Sequence, residues 1–423
     1  MSKVVDIVAP ARLGGNYRWL LASSWTTNLG DGVAIAAGPL LVASLTGNPF
    51  VVSLAALLRW APALIFGLYA GVLSDRRDRR RIVMAADGLR AVVLIALVFG
   101  LVVGRLTAIE AVVALGLLAT AEVFADNTSA TLAPMFVHRD DLAIANARLQ
   151  TGFITLNQLI GPPIGAALFA AGRAWPFATE MILVAAGVAL VSRIALPTVS
   201  PGGAVAGASG MWHDVVEGVR WTVRHPAVRT LVLTIFIFNV TFGAAWSVLV
   251  LYAQQRLGLG SIGFGLLTTV SAAGGLVGTA LYGWITRRVS LGNVMRIGLI
   301  IETLTHLGLA VTTSPWVASS IFFVFGAHTF VWGTTSITVR QRAVPTQLQG
   351  RVNSVNSIGT FGGLVVGAAI GGLLASHFGV TAPFWFAFVG SAVFVVLLWR
   401  ELTRIAHADD HPVAADPAEV GVA

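Results

Sequence analysis

The sequence predicts an all-α membrane protein: twelve transmembrane helices in two parallel six-helix halves. Three observations lead there: an apolar composition, twelve apolar runs of spanning length, and an alternation of arginines between the gaps. Of 423 residues, 56% are hydrophobic and 11% are charged, with mean hydropathy +0.82. A soluble domain carries about 25% charged residues, so the balance argues against a soluble enzyme, a disordered chain and a nucleic-acid binder. The net charge of +8 comes from short arginine clusters between apolar runs, which is a pattern of membrane topology. Cysteine is absent, so disulfides, thiolate metal sites and cysteine nucleophiles are excluded. Lys3 is the single lysine, and no glycine-rich turn flanks it as a P-loop requires. Uphill movement must then draw on an ion gradient or on another subunit. No cofactor is expected.

A spanning helix needs roughly 20 mostly apolar residues. The runs lie at 19–45, 50–73, 82–103, 108–131, 146–171, 176–196, 228–254, 261–285, 293–312, 315–336, 353–376 and 382–400. The first is too long, and lacks the small-residue cleavage site, for a signal peptide. Alternate gaps hold Arg76 to Arg81, Arg139 and Arg148, Arg220 to Arg229, Arg287 to Arg296, and Arg340 to Arg351. The other gaps hold only Arg105, Arg173 and Arg256. The positive-inside rule places the rich set, and with it both termini, in the cytoplasm of a cell inner membrane.

The expected organisation is therefore a cytoplasmic N-terminus at 1–18, a first half at 19–196, a linker at 197–227, a second half at 228–400 and a disordered acidic tail at 401–423. The linker opens with Pro197, Pro201, Gly202 and Gly203 and continues with Trp212, Val215, Val216, Val219 and Val223 at helical spacing. That stripe reads either as an amphipathic helix on the inner membrane surface or as a plain cytosolic linker helix. A shift of 211 residues lays Asn28 on Asn239, Gly32 on Gly243, Gly47 on Gly258 and Gly67 on Gly278. A shift of 207 lays Asn146 on Asn353 and Gly152 on Gly359. Ordered matches of this kind suggest duplication, and parallel halves are a transporter architecture.

After the second span the chain reads Gly71-Val72-Leu73-Ser74-Asp75-Arg76-Arg77-Asp78-Arg79-Arg80-Arg81. This resembles the loop signature of the major facilitator superfamily, with Asp78 where glycine is usual. Gly152 followed by Gly161-Pro162-Pro163-Ile164-Gly165 is similar to the glycine-proline signature of that superfamily's exporters, with Ala166 where a second glycine is usual. Asn28-Leu29-Gly30-Asp31 and Arg224-His225-Pro226 resemble its enterobactin-exporter and macrolide-efflux branch. The resemblance covers about 17–400 and implies the major facilitator fold. It also implies a transporter rather than an enzyme, working as a monomer in the bilayer on a small-molecule substrate, without nucleic acid.

Beside the resemblance stands a physical reading of each motif. Asp75 is placed to receive a helix N-terminus, that of the eleventh span. Arg79 is placed to pair with Asp126, which with Gly71, Arg76 and Arg80 would form a conformational latch that breaks as the halves rock. The same arginines also serve topology alone. Gly161-Pro162-Pro163 removes ladder donors and bends the fifth span. Gly359, Gly363, Gly367 and Gly371 give the eleventh span a flat ridge for close backbone packing.

Ionisable groups inside spans are functional candidates. Asp31 and Glu122 are the leading proton sites, because a desolvated carboxylate takes a proton more readily than in water. For Asp31 the alternatives are an ion pair with Arg59 or a hydrogen bond near Asn28. Asp87 and Arg90 are expected to pair locally near the inner end, Glu302 and His306 to form a local pair, and Glu180 to lie at the interface. In the resembled layout the cavity lies among the first, fourth, seventh and tenth spans. The resemblance then offers Asn28, Asp31, Glu122, Asn239, Trp246, His328 and Trp332 as lining residues. Aromatics, amides and carboxylate suit an amphipathic organic molecule. The function expected is proton-coupled export of a drug, antibiotic or siderophore by alternating access. The alternatives are a proton-coupled importer and a non-transporting protein on the same scaffold. No H-E-x-x-H or G-x-S-x-G supports a membrane enzyme.

Overall fold

The computed structural model describes residues 10–195 and 208–402, with Ala11, Asp75 and 208–212 described for their backbone only. Lys3, the Pro197–Gly203 stretch and the acidic tail lie outside the described residues. Six apolar helical runs come first: α1 (Gly15–Leu45), α2 (Pro49–Arg76), α3 (Arg79–Val103), α4 (Ala108–Ala130), α5 (Arg139–Ala171, opening on a 3-10 turn) and α6 (Trp175–Val191). The linker helix α7 (Ala208–Arg224) follows. The second group is α8 (Pro226–Trp246) with its short continuation α9 (Leu249–Gln255), then α10 (Ser261–Thr286), α11 (Leu291–Val311), α12 (Pro315–Ala343), α13 (Gln349–Phe378) and α14 (Ala382–Leu398). Among the described residues ten helices are long and apolar enough to cross a membrane, and the 17-residue apolar α6 and α14 bring the apolar helices to the expected set. The seventh run differs from expectation: it breaks at Ser247 and Val248, where the Ser247 hydroxyl donates back to the Ala244 carbonyl.

Local chemistry sets the helix ends. Asn48 caps α2 through Phe50 N–H, with Pro49 supplying a pre-set φ at the first position. Asp78, the departure from the loop signature, is the N-cap of α3 and accepts from Arg81 N–H. Thr107 and Glu110 form a reciprocal capping box on α4. Gly104 closes α3 at φ 72°, a left-handed conformation that favours glycine.

The helices α1 to α6 pack mainly on one another, as do α8 to α14. The two groups meet along two seams, α2 with α13 and α5 with α10. Close approach is built the same way twice. A Cβ on Gly32 of α1 would lie 2.6 Å from the Asn157 carbonyl oxygen, and one on Gly243 of α8 would lie 2.7 Å from that of Leu364. Positions 157 and 364 are related by the 207-residue shift. The glycine ridge of α13 seats on α8: Gly363 faces Phe236, Gly367 faces Val240 and Gly371 faces Ala244, each at a backbone carbonyl.

The two ends of the bundle are packed differently. At the end away from the arginines, Leu40 to Val42, Val248 to Ala253, Phe264, Phe322 and Phe384 belong to one apolar core that joins both groups. At the arginine-rich end the described residues form separate smaller cores. Tyr17, Leu21 and Val137 belong to one, and Leu20, Val83 and Val191 to another, all within the first group. Leu231, Met295 and Val339, and then Val228, Val344 and Val352, form two more within the second group. The bundle is thus closed at one end and split at the other.

The linker helix α7 is fixed to the second group. Arg351 of α13 pairs with Asp214 at 2.9 Å and Glu217 at 2.8 Å, and Gly218 lets the Arg351 backbone approach. The expected apolar stripe divides: Val215 turns inward, while Val216, Val219 and Val223 are exposed. The Trp212 side chain lies outside the description.

Candidate functional site

A cavity of about 390 Å³ lies between the two groups, beneath the shared core. Asp31, Glu122, Glu180 and Gln158 line it from the first group, together with Arg59 and Trp60. Phe242, Trp246, Phe322 and Phe325 line it from the second. These four rings touch in sequence, with centroids 4.4 Å apart for Phe242 and Trp246 and 4.7 Å for Trp246 and Phe325. The cavity therefore has an acidic wall and an aromatic wall. Arg59 does not pair with Asp31, correcting that alternative; its guanidinium lies over Trp60 instead, 5.2 Å from the ring centroid.

Behind the acidic wall is a charge cluster that local reading gave only in part. Arg90 bonds to Asp31 through a very short contact, to Asp87 at 3.2 Å and to Glu180 at 3.3 Å. All four side chains are at most 7% exposed. Asp87 and Arg90 do pair, but they lie well along α3 rather than at its end. Glu180 is not at an interface: it is buried, because α6 packs against both α1 and α3. A lone arginine in mid-span was the signal available in the sequence, since one neighbouring aspartate seldom satisfies a buried guanidinium with five donors. Glu122 is half-buried in the cavity, with neither an ion pair nor a hydrogen bond to its side chain among the described residues.

The exporter-type bend positions this cluster. Pro162 and Pro163 have no N–H to offer the preceding turn, and Phe153–Ile160 winds as a π-helix. Gly161 and Gly165 then lie on α1 at Gly32 and at the Val33 carbonyl, immediately beside Asp31. Gly152 leaves room for the Trp25 indole, which donates to the Arg148 carbonyl at 3.1 Å.

Four expected lining residues stand elsewhere. The Asn28 amide donates to the Ser24 carbonyl and that of Asn239 to the Ile235 carbonyl, both one turn back on their own helices. His328 and Trp332 pack against Gly298 of α11, outside the lining. There His306 is fully buried, with Glu302 at 4.0 Å and the Trp246 ring edge-on at 6.1 Å. The ring nitrogens of His306 and His328 and the Trp332 indole N–H find no hydrogen-bond partner among the described residues.

At the loop, Arg79 donates to the Ser74 carbonyl at 3.1 Å and to that of Thr131 at 3.5 Å. Arg80 reaches the Ser192 and Ile194 carbonyls at the end of α6. Arg76 is exposed, and the Asp75 side chain lies outside the description. Arg79 and Asp126 do not form an ion pair here; Asp126 is exposed on the split side of α4.

A family model described as transmembrane secretion effector matches residues 7–419. The multidrug efflux pump Tap of Mycolicibacterium fortuitum is 25% identical over 386 residues, covering 86% of this chain and 90% of that protein. The enterobactin exporter EntS of Salmonella typhimurium is 25% identical over 353 residues, covering 81% of each. Among solved structures, a bacterial homologue of the iron transporter ferroportin in its inward-facing state superposes with TM-score 0.75 at 16% identity, over 92% of this chain and 98% of that one. The nucleoside transporter NupG gives 0.69 at 12% identity, over 93% and 99%. These likenesses share the major facilitator fold, and this multi-pass membrane chain belongs to the transmembrane secretion effector family of major facilitator transporters.

Proposed function

We propose that this transporter exports a small amphipathic organic molecule in exchange for protons, with its arginine-rich end in the cytoplasm. The observation that carries the reading is the two-walled cavity. Carboxylates face four aromatic rings across a space sealed at the far end and flanked by separate cores at the arginine-rich end. Aromatic faces attract cations and apolar surface alike, and a carboxylate opposite them favours a positively charged or polar head. In this orientation the structure faces inward. The 71–81 loop, with Arg79 and Asp126 at the arginine-rich end of the first group, serves as the latch in this reading. Asp31 and Glu122 are the leading coupling sites. A proton arriving from outside neutralises a carboxylate, loosens its hold on the substrate and favours return to the inward-facing state. The relation to an efflux pump and to siderophore exporters supports outward transport over import.

The first test is a susceptibility panel of lipophilic cations, antibiotics and siderophores in a pump-deficient host, comparing wild type with Glu122→Gln. Everted vesicles with an imposed pH gradient then test coupling. Asp31→Asn and Glu122→Gln should each impair gradient-driven accumulation at normal protein level. A double variant that still concentrates substrate sinks these two sites. Accumulation in the opposite direction supports the importer. Single cysteines at positions 104, 172 and 257 should label from outside intact cells, and labelling of position 78 from outside would overturn the orientation.

A further inference from the structure

We infer that Glu180 carries a transported proton and that Arg90 is the positioning residue that holds it between Asp31 and the cavity. The inference rests on the proton-exchange reading above and names a residue within it. It starts from a charge count. One guanidinium meets three carboxylates, at 3.3 Å or closer, in a site where every member is nearly inaccessible. With all three ionised the cluster holds a surplus of negative charge, and buried charge without a counter-ion is expensive. Protons are the simplest way to restore the balance.

Geometry selects the carboxyl that takes one. Asp31 makes the shortest contact to Arg90, and Asp87 takes the other terminal nitrogen at 3.2 Å. Glu180 has the longest contact of the three, through Oε1 alone. Its Oε2 is buried without a hydrogen-bond partner among the described residues. A neutral carboxylic acid fits that arrangement: Oε1 accepts from Arg90 as a carbonyl oxygen and Oε2 carries the proton. Glu180 also lines the cavity, whereas Asp87 does not, so this proton has a route to the transport pathway.

The groups that face Glu180 are few. From α1 comes Asp31, from α3 Asp87 and Arg90, while α2 brings Arg59 and α4 brings Glu122 to the same cavity. The stretch 152–171 of α5 contains no titratable residue. The Glu180 stem packs beside Gly30 of α1. Loss of the proton adds one negative charge beside the cavity and strengthens its attraction for a cationic substrate. Uptake of the proton removes that charge and releases the substrate. Arg90 keeps the Glu180 head in place through both states.

The first test uses the wild-type protein in native membranes, so it does not depend on a variant folding. Dicyclohexylcarbodiimide takes a proton from a carboxylic acid in apolar surroundings and leaves a stable N-acylurea on that residue. Peptide mass mapping is expected to find the adduct on Glu180 at neutral pH and to lose it as the pH is raised. An adduct on Asp31 or Glu122 with Glu180 unmodified overturns the assignment, and so does the absence of an adduct from all of these carboxyls. Infrared spectra provide a second readout: Glu180→Gln should lose a protonated-carboxyl band that Asp31→Asn retains, and the reverse pattern overturns the assignment. Neither measurement needs transport. A labelled Glu180 in vesicles that no pH gradient drives leaves this site standing and removes the exchange reading. Gradient-driven transport with Glu180 unlabelled removes this assignment alone.

Discussion

In the first group of helices one guanidinium serves three carboxylates. In the second, two imidazoles and a carboxylate share no arginine ion pair among the described residues. Both clusters are buried and both adjoin the cavity walls, yet their energetics run in opposite directions. The Arg90 cluster is held by charge-assisted hydrogen bonds, which are about twice as strong as neutral ones. Removing its centre strands the remaining charges. The His306 and His328 rings leave their nitrogens without hydrogen bonds among the described residues, so each ring brings a desolvation cost that its packing against Trp246 and Phe325 must offset. The first cluster is a fixed electrostatic centre, and the second is a soft wall behind the aromatic face.

The largest expected effect is that of Arg90→Met. Breaking a buried pair by removing one partner costs about 3–5 kcal/mol, so this variant should be recovered poorly or melt far below wild type in detergent. If it instead melts like wild type, the carboxylates are not balanced by Arg90. Gly165→Ala is next. Its methyl group would collide with the Val33 carbonyl oxygen, and overpacking of this kind costs about 1–3 kcal/mol. The variant should also displace Asp31, so a melting shift accompanied by unchanged transport would separate the bend from the site. His306→Leu provides the contrast. It removes two unpartnered nitrogens while keeping apolar bulk, and stability should stay within about 1 kcal/mol of wild type. A collapse as deep as that of Arg90→Met would show that the two clusters are alike after all.

The spans were legible because hydropathy over some twenty residues is a local property, and the expected edges fall within about four residues of the helices except at the start of α5, the ends of α6 and α12, and the break after Trp246. The charge cluster was legible only in pieces. Asp87 and Arg90 are three apart on one helix, but Glu180 lies 90 positions from Arg90. Its place five residues from the start of α6 reads as an interface position, yet α1 and α3 cover it. Asn28 and Asn239 misled in the other direction. An amide in a span reads as a lining group, yet each spends its donor on the carbonyl four residues earlier, a bond that hydropathy cannot reveal.

Two smaller effects concern the linker helix, which the structure ties to the second group. Arg351→Ala removes ion pairs that are more than a third exposed on the carboxylate side, and such pairs contribute about 0.2–1 kcal/mol. Hydrogen exchange across 213–224 should rise while global melting barely moves. A large drop in melting temperature would mean that α7 is integral to the bundle. His225, stacked on Trp221 at 4.9 Å, accepts from Val228 N–H, and burial holds it below the ordinary histidine value. The folded state prefers the neutral ring, so the unfolded state takes a proton first. The stabilisation is complete above about pH 6.5 and is lost as the pH falls through the lower folded value. Exchange near 221–228 should therefore increase on acidification in wild type. In His225→Asn, which keeps a capping acceptor without titrating, it should stay flat.

The apolar core that joins both groups at the end away from the arginines has a thermal consequence. Opening that end exposes to water the surfaces around Leu40 to Val42 and Val248 to Ala253. Exposure of apolar surface raises heat capacity. Under the proposed alternating access, the equilibrium between the two openings follows a curve in temperature rather than a straight van't Hoff line, and its enthalpy changes with the temperature of measurement. Calorimetry of a conformation-selective ligand at several temperatures would read, as the slope of enthalpy against temperature, the apolar area this seal exposes less the area buried at the other end and by the ligand itself.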